Sequence, residues 1–170
     1  MKKVLFLDID GVIALNNHWD LDDDFHLSTG KRVPYRWNDE CCKVLSKILE
    51  STDSYVVISS DWRLSFTIDE LKELFTLHNI SPDRLIGTTE RTKSKRMSEW
   101  NQVEVLRERE ILNWIDFNSV DHWVAIDDLF LSGLPKENFV MVREDKKGIN
   151  QELITNILES KLNKDERILF

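Results

Sequence analysis

Three short apolar runs in this sequence each end abruptly in carboxylate or hydroxyl side chains, and that pattern restricts the fold more than any other feature. Val4-Leu5-Phe6-Leu7 runs into Asp8 and Asp10, Tyr55-Val56-Val57-Ile58 into Ser59 and Ser60, and Trp123-Val124-Ala125-Ile126 into Asp127 and Asp128. Unbroken apolar runs, as opposed to alternating ones, suit strands buried on both faces of a parallel sheet. Arg84 to Gly87 and Phe139 to Val142 supply two further strand candidates. Helical spacing fills the intervals between them. Asn38 stands as an N-cap ahead of Cys41, Val44, Leu45, Ile48 and Leu49, and Thr67 with Glu70 forms a capping box ahead of Leu71, Leu74 and Phe75. A helix near Glu104 to Ile115 would turn Val105, Leu112 and Ile115 inward, and Ile149, Leu153, Ile157 and Leu158 mark a last one. Strands alternating with helices imply right-handed crossovers and a doubly wound α/β sandwich. A chain of 170 residues, 41% hydrophobic, holds enough apolar material for one core and too little length for two, so a single domain over residues 1–170 is expected.

Open parallel sheets bind ligands beyond the carboxyl ends of their strands, where the strand order reverses. If the three polar-tipped strands are neighbours, Asp8, Asp10, Asp127 and Asp128 converge with Ser59 and Ser60 on one crevice. Carboxylates packed so closely repel one another, and a cation is the usual remedy. A ligand set of oxygens without His or Cys favours Mg2+, which accepts one or two carboxylates together with substrate phosphate.

The remaining features bound the function. From about residue 14 to 36 periodicity disappears and a flap is expected; its Asp20, Asp22, Asp23 and Asp24 lack the glycine and terminal Glu of an EF-hand loop, and His18 and His26 show no metal-ligand spacing. Arg63, just past the second strand, is a candidate grip for a substrate phosphate or a partner for a nearby carboxylate, and Trp62 is expected to pack and not to stack on a base. Cys41 and Cys42 are adjacent in a helix, which suits buried thiols and opposes a mutual disulfide. A formal charge of -8 opposes strong non-specific binding to phosphate backbones. Asp8 and Asp10 interrupt the only apolar run that could start a secretory signal, and nowhere do about 18 apolar residues follow one another. A soluble cytoplasmic protein without a membrane span, and with no obligate protein partner to be inferred, is the expectation.

Asp8-Ile9-Asp10-Gly11-Val12 after an apolar strand resembles the first motif of the haloacid dehalogenase-like (HAD) superfamily, Ser59 at the end of the second strand resembles its second motif, and Asp127-Asp128 resembles its acidic fourth. More narrowly, Ser59-Ser60-Asp61-Trp62-Arg63 and the stretch Arg107-x-x-Glu110-Ile111 are similar to a subfamily of capless domains found alone or fused in Swiss Army Knife RNA repair proteins. The resemblance implies a five-stranded parallel sheet in the order 5-4-1-2-3, a three-layer sandwich and no separate cap domain. It implies a magnesium-dependent phosphomonoesterase in which Asp8 is the nucleophile and Asp10 the proton carrier, through an aspartyl-phosphate. Ser59 would donate to a phosphoryl oxygen, Ser60 would add a backbone amide, and Asp8, the Asp10 carbonyl and at least one of Asp127 and Asp128 would hold the metal. The cation of the third motif falls on Arg107 in the subfamily pattern, with Arg109, Lys93 and Lys95 as other candidates. A capless site leaves substrate selection to the substrate's own bulk, which makes a nucleotide or nucleic-acid phosphate end a candidate. The alternatives are a small-molecule housekeeping phosphatase and a HAD-fold binding module without turnover.

Overall fold

The computed structural model describes residues 2–15, 25–92, 102–120, 122–143, 145, 147–150 and 152–163. Five strands, β1 (Lys3–Leu7), β2 (Ser54–Ile58), β3 (Leu85–Thr88), β4 (His122–Asp127) and β5 (Phe139–Met141), form one sheet in the order β3-β2-β1-β4-β5. Every pairing is parallel. The doubly wound order expected from the sequence is therefore the observed one. Strand order reverses on either side of β1, so the carboxyl ends of β1, β2 and β4 flank the switch point.

Register carries the polar tips to one level. Leu7 stands opposite both Ile58 and Ile126, and the ladder continues one step beyond, with the Ser59 amide donating to the Leu7 carbonyl at 2.9 Å and the Asp8 amide to the Ile126 carbonyl at 3.1 Å. Asp8, Ser59 and Asp127 are thus aligned across three adjacent strands. Alternate residues of each strand feed two cores. Leu5, Leu7, Val56, Ile58, Val124 and Ile126 pack under α1 (Asp39–Thr52), α3 (Ile68–Leu77) and α5 (Glu152–Leu162). On the opposite face Val4, Phe6, Val57 and Ala125 meet Ile111 and Trp114 of α4 (Gln102–Asn118), with Phe6 edge-on to Trp114 and Trp123 at 5.5 and 5.9 Å. A short helix, α2 (Trp62–Ser65), follows β2 directly.

Both expected helix caps form. Asn38 accepts from the Cys41 amide at 3.0 Å, and Thr67 and Glu70 close a reciprocal capping box on α3. Cys41 and Cys42 are free buried thiols. α4 departs from expectation in its facing: Leu112 is 42% exposed, and Arg107, Glu108 and Glu110 are buried beside Ile111. Charged groups can face inward here because each meets a partner. Glu108 accepts the Gly133 amide at 2.7 Å, Glu110 pairs with Arg63, and Arg107 pairs with carboxylates at the strand tips. Among the described residues no helix is long and apolar enough to cross a membrane.

The described part of the flap is a built element. Phe25, Leu27 and Val33 join the core, His26 bridges Arg32 antiparallel, and Leu27 and Val33 amides close the turn on Lys31 and Phe25 carbonyls at 2.9 Å each. His18 and the acidic run Asp20 to Asp24 lie outside the described residues. This small hairpin is clipped to α3: Ser28 donates through its amide and its hydroxyl to Glu73 at 2.6 and 2.7 Å, and Thr29 and Lys31 donate to Glu70 at 3.2 and 3.0 Å. Replacing Glu70 with Ala removes the side-chain half of the capping box and two of these clips together, so trypsin should cut at Lys31 and Arg32 several-fold faster in Glu70→Ala than in the parent chain, read by timed proteolysis and mass spectrometry.

Candidate active site

β1 delivers Asp8 to the carboxyl edge of the sheet, where it is 3% exposed. Arg107 reaches it from α4: its Nη1 lies 2.8 Å from Asp8 Oδ1 and 3.0 Å from Asp127 Oδ2. Arg107 thus stands between the tips of β1 and β4 and ties them together. The other oxygen of Asp127 accepts the Leu129 amide at 2.9 Å. Asp128 is half-buried beside them, and ligand atoms of Asp8, Asp127 and Asp128 lie within 4.8 Å of one another. Gly11 permits this closeness. Its φ of 72° is a conformation side chains rarely adopt, and a Cβ there would strike the Asp128 carboxylate.

Burial, and next the neighbouring Asp127, push the Asp8 carboxyl up from 3.8 to about 7, while Arg107 and a hydrogen bond from Ser60 oppose the rise. Asp127 is raised as well, again first by burial and against the pull of Arg107. For Arg107 burial favours the neutral form, but Asp8 and Asp127 outweigh it and hold the guanidinium charged. With all three carboxylates ionised, one guanidinium leaves two negative charges uncompensated. The oxygen-only donor set and that deficit both fit a divalent cation.

The two serines differ. The Ser60 hydroxyl accepts the Trp62 amide at 3.5 Å, whereas the Ser59 hydroxyl is buried and has no partner among the described residues. An unmet buried hydroxyl at a strand tip is a donor waiting for an acceptor. Asp10 lies just beyond, and its carboxylate takes the Tyr35 hydroxyl on Oδ1 and the Trp62 indole N–H at 3.1 Å from Oδ1 and 3.2 Å from Oδ2. Neither Tyr35 as a partner nor the polar edge of Trp62 was evident from sequence, since no spacing links residue 10 to 35 or 62. Trp62 does pack as expected, stacked on Phe66 at 5.1 Å with Trp37 edge-on at 5.7 Å.

The chain matches the family model for the HAD domain in Swiss Army Knife RNA repair proteins over residues 4–154. It belongs to this family. Membership places it among HAD-type hydrolases, and no curated protein or solved structure matches it. Of the cations considered for the family's third motif, Arg107 is the one brought to Asp8; Lys93 and Lys95 lie outside the described residues, and Arg109 is on the exposed side of α4. His26 is exposed on the flap hairpin.

Arg63 takes the second of its two expected roles and pairs with a carboxylate. Its side chain is only 5% exposed and turns inward, donating to the Ser59 carbonyl at 2.9 Å, to the Ser60 carbonyl at 2.5 Å and to Glu110 at 2.5 Å. It braces the loop that carries both serines. Asp61 lies 3.5 Å from both Arg63 and Arg107, so the two buried ion pairs are joined at the site's rim.

Two predictions follow from this charge network. Arg63→Ala strands the buried Glu110 carboxylate and should cost about 3–5 kcal/mol of stability in urea unfolding, where an exposed substrate grip would cost almost nothing. In chelator, Asp8 raised from 3.8 to about 7 means that the folded state holds this proton more tightly than the unfolded chain. Its stabilising contribution is therefore complete below the unfolded value and is lost as pH climbs through that window. Thermal unfolding without metal should show Tm falling from pH 5 to 7.5, and Asp8→Asn should flatten the fall.

Proposed function

We propose that this chain hydrolyses phosphomonoesters with the help of magnesium, through an aspartyl-phosphate on Asp8, and that the phosphate sits on a nucleotide or nucleic-acid end. The observation that carries this reading is the convergence on Asp8 of Arg107 at 2.8 Å and a second and third carboxylate within 4.8 Å. A buried carboxylate fixed by a guanidinium is a positioned nucleophile, and phosphoryl transfer is catalysed by positioning together with electrostatic stabilisation.

Asp8 attacks phosphorus in line, and the bond to the leaving oxygen breaks as Asp10 gives that oxygen a proton. Water then attacks the phosphorus of the acyl phosphate, its proton passes to Asp10, and Asp8 is regenerated. Arg107 offsets charge on the nucleophile and the phosphoryl group, and the unmet Ser59 hydroxyl donates to a phosphoryl oxygen. Asp8, Asp127 and Asp128, with the Asp10 carbonyl, would hold magnesium, which supplies charge neutralisation for the carboxylates and the phosphoryl oxygens.

Two features support a large substrate. Among the described residues nothing caps the strand tips except the flap hairpin. From Arg107 and Asp61 a shallow cleft of about 110 Å³, which also touches Arg91, Thr92 and Glu110, leads into a groove of about 510 Å³ lined by those three, Asn113, Trp114 and the 89% exposed Phe117. Exposed rings beside amide side chains suit unstacked bases better than they suit a small sugar phosphate. The family's RNA repair proteins point the same way.

Phosphate release from a terminally phosphorylated oligonucleotide tests the reading. Asp8→Asn should lose several orders of magnitude while unfolding cooperatively like the parent. Excess chelator should abolish turnover and magnesium restore it. Turnover in Asp8→Asn at the parent rate would refute the nucleophile, and full activity in chelator would refute the metal.

A further inference from the structure

The Asp10 carboxylate is more completely partnered than a strand-tip acid needs to be. Among the described residues Oδ1 accepts the Tyr35 hydroxyl, and the Trp62 indole N–H divides between Oδ1 at 3.1 Å and Oδ2 at 3.2 Å. Both donors are themselves fixed. Trp62 is 5% exposed, stacked on Phe66, and has Tyr35 and Trp37 edge-on at 5.5 and 5.7 Å. Tyr35 is fixed by the chain on either side of it. Behind it the hairpin is clipped to Glu70 and Glu73 of α3, and ahead of it the Trp37 amide donates to His78 Nε2 at 3.3 Å and the Asn38 amide to the Ile13 carbonyl at 2.8 Å. Phenol and indole N–H stay protonated over the working pH range, so both act as permanent donors. Burial, and then Asp10 itself, push the Tyr35 phenol still further up.

We propose that Tyr35 and Trp62 are positioning residues for proton transfer, holding Asp10 by Oδ1 so that Oδ2 is the oxygen that carries the proton to the leaving group and takes it back from water. This rests on the aspartyl-phosphate reading above. A carboxyl group has one carbonyl-like and one hydroxyl-like oxygen when protonated; the Tyr35 hydroxyl on Oδ1 makes that oxygen the carbonyl one, and the Trp62 N–H, shared by both oxygens, fixes the plane of the group. The transferable proton then has a defined place, and each transfer needs no search over rotamers. In the first half-reaction Oδ2–H gives its proton as the P–O bond to the leaving group breaks and that to Asp8 forms; in the second, Oδ2 accepts the proton that water loses as its oxygen bonds phosphorus and the P–O bond to Asp8 breaks. No other reactant is needed.

A purely structural role would lower all substrates alike, so the test is the dependence on leaving group. A nitro-substituted aryl phosphate departs as a stable anion and needs little protonation, whereas an alkyl phosphate needs the proton in full. The ratio of kcat/KM for the two substrates, which reports the phosphorylation half-reaction, is measured for the parent, Tyr35→Phe, Trp62→Phe and Asp10→Asn. Each aromatic variant should lose at least about tenfold on the alkyl phosphate and no more than about twofold on the nitroaryl ester, with the double variant approaching Asp10→Asn. Equal losses on both substrates in the aromatic variants, with a selective loss in Asp10→Asn, would overturn the inference and leave the enzymatic reading standing. Equal losses in Asp10→Asn as well would overturn the assignment of Asp10 and the inference together. If Trp62→Phe shows no cooperative thermal unfolding, Tyr35→Phe decides alone, because it removes a single oxygen and leaves the ring in place.

Discussion

The bridge of Arg107 between Asp8 and Asp127 is the contact on which the rest of the structure hangs. Parallel pairing in register brings two carboxylates to the same level on neighbouring, nearly dry strand ends, and two like charges there would prise β1 and β4 apart. A guanidinium suits this place better than an ammonium, since it stays charged when buried and can serve two oxygens from one rigid plane. The compensation is incomplete: with Asp128 beside them the carboxylates outnumber the cation, and burial first, with the neighbouring carboxylates adding to it, raises both Asp8 and Asp127. The three carboxylates form a donor set that could hold a metal ion.

That bridge also dictates how α4 lies. An α4 turned by its apolar residues alone would have buried Leu112, and the observed helix instead commits its inner face to Arg107, Glu108, Glu110 and Ile111. Three buried charges on one helical face are tolerable only if each finds a partner on a different element, and they do: the strand tips, the loop at Gly133, and Arg63 after β2. The helix, the sheet edge and the serine loop are consequently one electrostatic unit. Displacing α4 would break the pairs of Arg107 with Asp8 and Asp127 and that of Glu110 with Arg63 at once, so the Asp8 carboxylate is held in place by the helix.

The flap plays the complementary part on the other side of the crevice. Its hairpin is held to α3 by polar clips and to the core by Phe25, Leu27 and Val33, and it presents Tyr35 to Asp10 opposite the indole of Trp62. Arg107 secures the group expected to attack, and Tyr35 with Trp62 secures the group expected to move a proton. The two carboxylates of one short strand-tip motif thereby sit in different surroundings, one among charges and one among neutral donors, as two distinct chemical tasks require.

Much of this was legible in the sequence because it depends on local order. Apolar runs ending in Asp8, Ser59 and Asp127 set the strands, the caps at Asn38 and Thr67 set two helices, and the motif resemblance gave the strand order and the choice of Arg107. The sequence alone determined which strands are buried and that their tips carry acids, since burial on both faces demands an unbroken apolar run and the residue that ends the run is the residue at the edge. Only the tertiary structure decided the partners. Arg63 reads as a phosphate grip or the partner of some nearby carboxylate until Glu110, 47 residues away, is folded against it, and Trp62 reads as a packing residue until Asp10 arrives between it and Tyr35. These contacts, unlike the helix caps, join residues far apart in the chain and are fixed by the crossovers of the sheet, so local spacing carries no trace of them.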